Sequence, residues 1–182
     1  MRLALMSDIH DNLWKLDPVL KYVKQCDVMI CCGDLCSPFV IDELGGGFGG
    51  EIHVVFGNND ADLFRITTKS KRYPNIRLHG ELCEVELGGK QFAVNHFDYI
   101  ARPLAKSGMY DVVCFGHNHE FETTTYGKTM ALNPGSILGA KFGSGRREDT
   151  VSTFIVYEIE TGKPTGYKIA PEGPIPLALT HS

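Results

Sequence analysis

The sequence predicts an α/β protein in which two mixed β-sheets pack as a sandwich flanked by helices. Nearly unbroken apolar runs at residues 2–7, 28–32 and 52–56 are typical of parallel strands that are buried on both faces. Further along the chain, short strand-like segments are separated by glycine-containing turns, which predict antiparallel hairpins. A chain that begins with parallel strands and ends in hairpins favours two mixed sheets packed face to face.

One amphipathic helix is predicted between the first two strands, over residues 13–24. Its apolar side chains recur at steps of three and four residues, which is the period of a helix. These side chains are Leu13, Leu16, Leu20 and Val23. A strand, a helix and a second strand in this order predict a parallel core.

The remaining strands are predicted from apolar runs and turns in the second half. Two further buried runs occupy residues 92–95 and 111–115. Three hairpins are expected, and they join residues 82–87 to 90–95, residues 121–125 to 129–132, and residues 151–159 to 165–169. These hairpins supply the antiparallel part of the two sheets.

The other segments are predicted to be loops within a single domain over residues 1–182. The glycines of residues 45–50 indicate a flexible loop, and residues 143–149 indicate a second, charged loop. The proline-containing tail, residues 171–182, is expected to be loosely ordered.

Composition limits the classes of partner. The net charge of −4 provides no broad basic surface for long duplex nucleic acid, which binds through neutralisation of its phosphates. No segment approaches the roughly 20 apolar residues of a membrane span. The six cysteines contain no CxxC pair and lie mostly in apolar runs, as reduced buried thiols do. We therefore expect a cytoplasmic protein without a membrane partner.

Polar side chains suited to metal binding follow five predicted strands. They are Asp8, His10, Asp34, Asn58, His96, His117 and His119. In open α/β sheets, ligands gather beyond the carboxyl ends of the strands, where neighbouring loops converge. The sequence thus predicts that five separate segments meet at one edge.

Each of these residues also has an ordinary structural interpretation. Asp8 could cap a helix, Asp34 could occupy a turn, and residues 57–60 could form a turn with nothing bound. The histidines are harder to explain in this way, because four of the seven lie in these few loops. His53, His79 and His181 are assigned structural or surface roles.

The order of these motifs resembles the calcineurin-like metallophosphoesterase superfamily, and specifically its small single-domain bacterial and archaeal phosphodiesterase branch. The motifs are Asp8-Ile9-His10, Gly33-Asp34, Gly57-Asn58-Asn59-Asp60, His96 and Gly116-His117-Asn118-His119, followed by Asn133-Pro134-Gly135-Ser136. The resemblance spans nearly the whole chain.

The resemblance implies a site with two divalent metal ions. It assigns one ion to Asp8, His10 and His119 and the other to Asn58, His96 and His117, with the carboxylate of Asp34 between them. Such oxygen and nitrogen ligands suit Mn²⁺ first, and also Fe²⁺, Ni²⁺ or Zn²⁺, better than Ca²⁺. The implied reaction is hydrolysis of small phosphate esters by a metal-bridging hydroxide, with Asp34, Asn59 and His96 as the catalytic residues.

Two departures from the family pattern bear on substrate preference. Many members have histidine where this chain has Asn59, and an asparagine cannot supply a proton to a leaving group at neutral pH. We therefore expect a preference for diesters or for acidic leaving groups. Many relatives also have His-Gly-His where this chain has His96-Phe97-Asp98. Phe97 could shape the pocket wall or belong to the core, and Asp98 could orient a ligand histidine or be a solvated loop acid. Asp60 is expected to be a supporting or turn residue and not a ligand.

Two alternatives to a phosphodiesterase remain at this point. One is a phosphomonoesterase with the same mechanism. The other is a non-catalytic interaction scaffold, since the small subunit of the retromer coat has this fold with an impaired metal site, although all seven ligand positions here keep competent side chains. Relatives often form dimers, so a homodimer is also compatible with the resemblance.

Overall fold

Fourteen strands and four helices occur in residues 1–143 and 145–177, the part of the chain that the computed structural model describes. The helices are α1 (Leu13–Val23), α2 (Phe39–Gly47), α3 (Leu63–Ser70) and α4 (Asp98–Ser107). The strands are β1 (Arg2–Met6), β2 (Val28–Cys31), β3 (Glu51–Val54), β4 (Ile76–Leu78), β5 (Leu82–Leu87), β6 (Lys90–Asn95), β7 (Val112–Cys114), β8 (Phe121–Tyr126), β9 (Thr129–Pro134), β10 (Ala140–Gly143), β11 (Arg146–Asp149), β12 (Thr153–Glu158), β13 (Lys163–Ala170) and β14 (Gly173–Pro176).

Two mixed sheets form the predicted sandwich. The larger sheet has the order β14-β13-β12-β1-β2-β3-β4, in which β1 to β4 are parallel and β12 to β14 are antiparallel. The smaller sheet has the order β5-β6-β7-β9-β8, with parallel pairing in its centre and antiparallel pairing at both edges. The predicted fold class and the three predicted hairpins are confirmed.

The inner faces of the two sheets share one apolar core. Leu5 and Ile30 of the larger sheet belong to the same buried cluster as Phe92 and Cys114 of the smaller sheet. Helices α1, α2 and α3 cover the outer face of the larger sheet, while α4 packs on the smaller sheet against β6, β7 and β9. This arrangement buries the parallel strands on both faces and leaves their carboxyl ends open to carry a site.

The prediction of a flexible loop at residues 45–50 was wrong in its first half, because α2 continues to Gly47. A Cβ atom on Gly45 would lie 2.3 Å from Cγ of Tyr73. Glycine there allows close packing of the helix and does not indicate flexibility. Helices α2, α3 and α4 and strand β4 were not predicted from the sequence.

The charged loop predicted at residues 143–149 was also wrong, since β10 and β11 pair as an antiparallel hairpin. The side chains of β11 are exposed, so the strand lacks the apolar alternation by which strands are recognised.

Part of the predicted loose tail is a strand as well. β14 pairs with β13, with Tyr167 opposite Pro176 and Ala170 opposite Gly173. An edge strand tolerates proline because one side of it needs no ladder hydrogen bonds. The rest of the tail, residues 178–182, lies outside the described residues. Within the part of the chain described, no helix has the length and apolar character needed to cross a membrane.

Candidate metal centre and active site

The loops at the carboxyl ends of β1, β2, β3, β6 and β7 bring all seven predicted ligand residues together at one edge. These loops border a cavity of about 450 Å³. Its walls include five of the predicted ligands, namely His10, Asp34, Asn58, His117 and His119. Asp8 and His96 lie beneath them and are buried.

The first group of donor atoms consists of Asp8, His10 and His119. Oδ1 of Asp8 lies 3.1 Å from Nε2 of His119 and 3.7 Å from Nε2 of His10. The two imidazole nitrogens are 3.3 Å apart. Among the described residues, the buried Oδ1 of Asp8 has no hydrogen bond of good geometry. A buried carboxylate oxygen without a donor, facing two imidazole nitrogens, fits a divalent cation.

The second group surrounds His96. Nε2 of His96 lies 3.1 Å from Oδ1 of Asn58 and 3.5 Å from Oδ2 of Asp34. The His117 ring is close by, with its centroid 5.1 Å from that of His96. Donor atoms of His96, Asp34 and Asp8 all lie within 4.8 Å of one another. The second group is therefore also compact enough to hold a cation.

Asp34 lies between the two groups. Its Oδ2 is 3.5 Å from Nε2 of His10 in the first group and 3.5 Å from Nε2 of His96 in the second. Asn59 holds this carboxylate in place, because its backbone N–H donates to Oδ1 and its side-chain amide donates to Oδ2, each over 2.8 Å. The exposed Asn59 thus contacts Asp34 and also borders the cavity.

Two of the histidines are oriented by backbone carbonyls. Nδ1 of His96 donates to the carbonyl oxygen of Cys32 over 2.8 Å, and Nδ1 of His119 donates to that of Ala140. These bonds place a proton on Nδ1 and direct Nε2 into the site, so a neutral imidazole in this orientation offers its Nε2 lone pair to a metal ion, as is usual for metal-binding histidines.

His10 is oriented by a sulfur atom. Its Nδ1 lies 3.4 Å from Sγ of Cys36, so its Nε2 also faces the site. Burial and the nearby carboxylate of Asp34 raise the pKa of the Cys36 thiol to about 12, and the group is therefore a neutral thiol at physiological pH.

The imidazoles also determine the charge of Asp8. Burial alone would raise the pKa of this carboxyl, but interactions with His10 and His119 outweigh burial and hold the pKa well below its usual range. Asp8 is therefore a carboxylate at any physiological pH, as a metal ligand must be.

Asp60 supports the loops, and its carboxylate oxygens are used in hydrogen bonds to the backbone and not directed at the donor groups. Its carboxylate accepts hydrogen bonds from the backbone N–H groups of Gly57 (2.7 Å), Cys36 (2.9 Å) and Asp34 (3.0 Å). It ties the loop after β3 to the loop after β2. The prediction that Asp60 is a supporting or turn residue agrees with these contacts.

The backbone of the ligand loops is held in an uncommon conformation. Five of the seven predicted ligands have positive φ, namely Asp8 (53°), His10 (45°), Asp34 (55°), His117 (72°) and His119 (60°). A left-handed backbone costs a residue with a Cβ atom about 1 kcal/mol or more, and such residues cluster at functional sites.

Two glycines allow the loops to approach one another. A Cβ atom on Gly57 would lie 2.2 Å from Oδ1 of Asp34, and one on Gly116 would lie 2.0 Å from Oγ of Ser7. Any larger side chain would displace Asp34 or the end of β1. Close packing of the backbone against Asp34 and Ser7 thus requires glycine at these two motif positions.

Phe97 contacts the predicted ligands directly, whereas the ion pair of Asp98 is with an arginine of its own helix. The half-buried Phe97 packs its ring against His96 and His117, with centroid distances of 5.1 Å and 5.0 Å, so it forms part of the wall behind the ligands. Asp98 begins α4 and borders the cavity, and its carboxylate lies 3.7 Å from Nε of Arg102.

Two further cavity residues, Lys141 and Phe142 of β10, were not predicted from the sequence. They directly precede residues 143–149, the segment that was predicted to be a loop. Lys141 pairs with Glu120 over 3.4 Å, and the Phe142 side chain is largely exposed. The exposed side chains of β11 left no apolar alternation by which this hairpin could have been found.

A two-sheet sandwich with carboxylates and imidazoles clustered at the carboxyl ends of its strands defines the class of protein as a metallophosphoesterase. Residues 1–162 match the family model described as the calcineurin-like phosphoesterase superfamily domain. The chain therefore belongs to that superfamily, which supports hydrolysis of phosphate esters, and the resemblance of its motifs is confirmed.

Relatives of known activity and structure agree with this assignment. A phosphodiesterase of Methanocaldococcus jannaschii is 29% identical over 143 residues, which cover 76% of this chain and 86% of the relative. The solved structure of an archaeal phosphodiesterase has a TM-score of 0.81 and 25% identity, covering 92% of this chain and 99% of the other. Vps29 of Entamoeba histolytica, solved in complex with Zn²⁺, has a TM-score of 0.68 and 19% identity over 97% of each chain, and it shares the fold.

Proposed function

We propose that this protein is a dinuclear metal-dependent phosphodiesterase that hydrolyses small phosphate esters. The observation that carries the proposal is the position of Asp34, whose Oδ2 is equally distant, at 3.5 Å, from one imidazole of each donor group. A carboxylate placed in this way can bind two cations at once. The phosphodiesterase of M. jannaschii supports the choice of substrate class.

The residues fit a pair of divalent cations. In this proposal Asp8, His10 and His119 would hold one ion, Asn58, His96 and His117 would hold the other, and Asp34 would be shared between them. Mixed oxygen and nitrogen donors favour Mn²⁺, and also suit Fe²⁺, Ni²⁺ or Zn²⁺. Two carboxylates against four positive charges leave the centre cationic, which attracts a phosphate ester in spite of the net charge of −4 on the chain.

Two bound divalent cations supply Lewis-acid activation of water and of the phosphoryl group. The chain's own residues position these partners. Asn59 holds both oxygens of Asp34, and the carbonyl of Cys32 keeps the Nε2 lone pair of His96 directed inward. At the rim, Lys141 can exchange its exposed pairing with Glu120 for an entering phosphate ester, and the exposed ring of Phe142 offers an apolar surface to the ester group.

A preference for diesters rests on Asn59. An amide cannot donate a proton to a departing alkoxide, so a leaving group that is already acidic should react fastest. Without this acid, monoesters with poor leaving groups should react slowly, so a phosphomonoesterase with the same site is the less favoured alternative. A non-catalytic scaffold is not favoured, because all seven positions keep groups able to coordinate a metal. A homodimer and a cytoplasmic location stay predictions.

The test is hydrolysis of an activated aryl phosphodiester and the matching monoester by the metal-free chain after addition of Mn²⁺, Ni²⁺, Zn²⁺ or Mg²⁺. The proposal expects no activity before addition and a higher kcat/KM for the diester afterwards. A chain that hydrolyses the diester equally well in the presence of a strong chelator would refute the proposal.

A further inference from the structure

A second group of metal-binding side chains lies away from the loops described above. His53 of β3, His79 directly after β4, and Cys83 of β5 each offer a donor atom, and the three atoms lie within 4.8 Å of one another. β4 and β5 are edge strands of the two different sheets. The His53–His79–Cys83 cluster therefore sits where the chain crosses from the larger sheet to the smaller one.

The two histidines of this cluster face each other closely. Nδ1 of His53 is 2.9 Å from Nε2 of His79, and the rings are nearly parallel, with an interplanar angle of 24°. Without an ion, one proton must lie between these nitrogens. Burial lowers the pKa of both imidazoles, so both are neutral and each carries one lone pair.

The far nitrogen of His53 faces a carboxylate. Nε2 of His53 is buried and, within the described residues, has no hydrogen bond, while Oε2 of Glu51 lies 3.7 Å away. The other oxygen of Glu51 is 3.3 Å from Nε of Arg77, so this guanidinium is paired and does not face the cluster as a free cation. A carboxylate behind a ligand histidine favours the proton on Nε2 and leaves Nδ1 free to bind a metal.

Cys83 completes the set from the opposite sheet. Cys83 is 1% exposed and belongs to the apolar core between the sheets, so its thiol can be reached only from within this core. A thiolate with two imidazoles is a donor set that selects Zn²⁺ over Mg²⁺, Ca²⁺ or Mn²⁺.

We propose that His53, His79 and Cys83 bind a zinc ion that joins the edges of the two sheets. A tetrahedral zinc ion requires about 3.3 Å between two ligand nitrogens and about 3.6 Å between a nitrogen and a sulfur, from bond lengths of about 2.0–2.1 Å and 2.3 Å. The 2.9 Å between the imidazoles need open by only a few tenths of an ångström. The half-buried His79 leaves room for water as the fourth ligand.

Zinc binding changes the protonation of the cluster in a defined way. The Cys83 thiol loses its proton to solvent as the sulfur–zinc bond forms, and His79 moves its proton from Nε2 to Nδ1. The site shares no ligand with the candidate active site. Its role is structural, because it connects β3 and β4 to β5 across the crossover between the sheets.

The proposal is tested with the full-length chain, first stripped of metal by a chelator and then titrated with Co²⁺ as a spectroscopic substitute for zinc. We expect a sulfur-to-cobalt charge-transfer band in the near-ultraviolet spectrum of the unmodified chain. Cys83→Ser should lose the band, whereas Cys36→Ser should keep it, although Cys36 lies beside His10. Absence of the band in the unmodified chain, or its persistence in Cys83→Ser, would overturn the proposal.

A second variant covers the case in which Cys83→Ser does not fold. His79→Asn changes a half-buried residue, and it should weaken cobalt binding in the band titration by at least 10-fold while the chain stays folded by circular dichroism. An unchanged titration would overturn the proposal. Asp34→Asn separates this site from the proposed function: the band should survive in Asp34→Asn even if hydrolysis is lost.

Discussion

The ligand loops of the candidate active site and the His53–His79–Cys83 cluster both gather metal-binding side chains, but they do so by different means. In the loops, five ligand residues adopt positive φ, and glycines allow backbone to approach carboxylate. In the cluster, none of the three residues has positive φ, and two of them lie within strands. Backbone strain persists only where surrounding contacts enforce it, which is typical of reactive sites. The unstrained cluster fits a structural role.

The largest effect is expected for Asp34→Asn, which tests whether the ligand loops, and not the cluster, form the reactive site. Loss of one negative charge from the position between the two donor groups should lower kcat/KM for an activated diester by at least about 100-fold. Mutation of a residue that only supports a metal ligand already lowers metal affinity or activity by about 10–100-fold. Steady-state kinetics with saturating Mn²⁺ measure it. The matched control is Asp17→Asn on the exposed face of α1, which should retain full activity. Equal activity in the two variants would contradict the assignment.

Gly57→Ala tests whether the close approach of the loops matters. The new Cβ atom would lie 2.2 Å from Oδ1 of Asp34, so we expect a loss of about 1–3 kcal/mol in the free energy of unfolding and a drop in activity. Denaturant titration and diester hydrolysis measure the two effects. Gly49→Ala is the control, because a Cβ atom there meets nothing within 4 Å. If both variants behave alike, the glycine of the motif is not required by packing.

Asn59→His sharpens the assignment of substrate class. An imidazole at this position can donate a proton to a poor leaving group, which should raise the ratio of monoester to diester hydrolysis by about 10-fold or more. The ratio is measured at one pH with a monoester and a diester that share one poor, alkyl leaving group. An unchanged ratio would show that the position does not govern the leaving group.

The smallest effect is expected for Lys141→Gln at the rim. This partly exposed charge should contribute less than about 1 kcal/mol to substrate binding, so KM should rise by about 2–5-fold with little change in kcat. The increase should shrink at high salt, because exposed charges are screened. Lys128→Gln, in the turn between β8 and β9, serves as the control. A fall in kcat with unchanged KM would place Lys141 in a different role.

The convergence of the seven predicted ligands could be anticipated from the sequence, because each of them follows a buried strand. Asp8, Asp34 and His96 stand directly after apolar runs whose carboxyl ends had to meet once the strands were parallel. The family pattern then assigned roles that spacing alone left open. Asp60 was correctly expected to support the loops, since its position within a turn favours bonds to backbone N–H groups.

The parts that sequence reasoning missed depend on tertiary contacts. Gly45 indicated a loop, yet it lies in a helix that packs against Tyr73. The side chains of β11 are exposed and show no apolar alternation, so the β10–β11 hairpin and its cavity residue Lys141 were overlooked. His53 and Cys83 are 30 positions apart in the sequence, and the crossover between the sheets brings them together.

The central claim is that Asp34 holds two cations at the loop edge, and anomalous diffraction from a crystal of the chain grown with Mn²⁺ tests it most directly. The claim predicts two anomalous peaks about 3.5–4 Å apart, each within bonding distance of the Asp34 carboxylate. A single peak, or two peaks of which only one contacts Asp34, would contradict it.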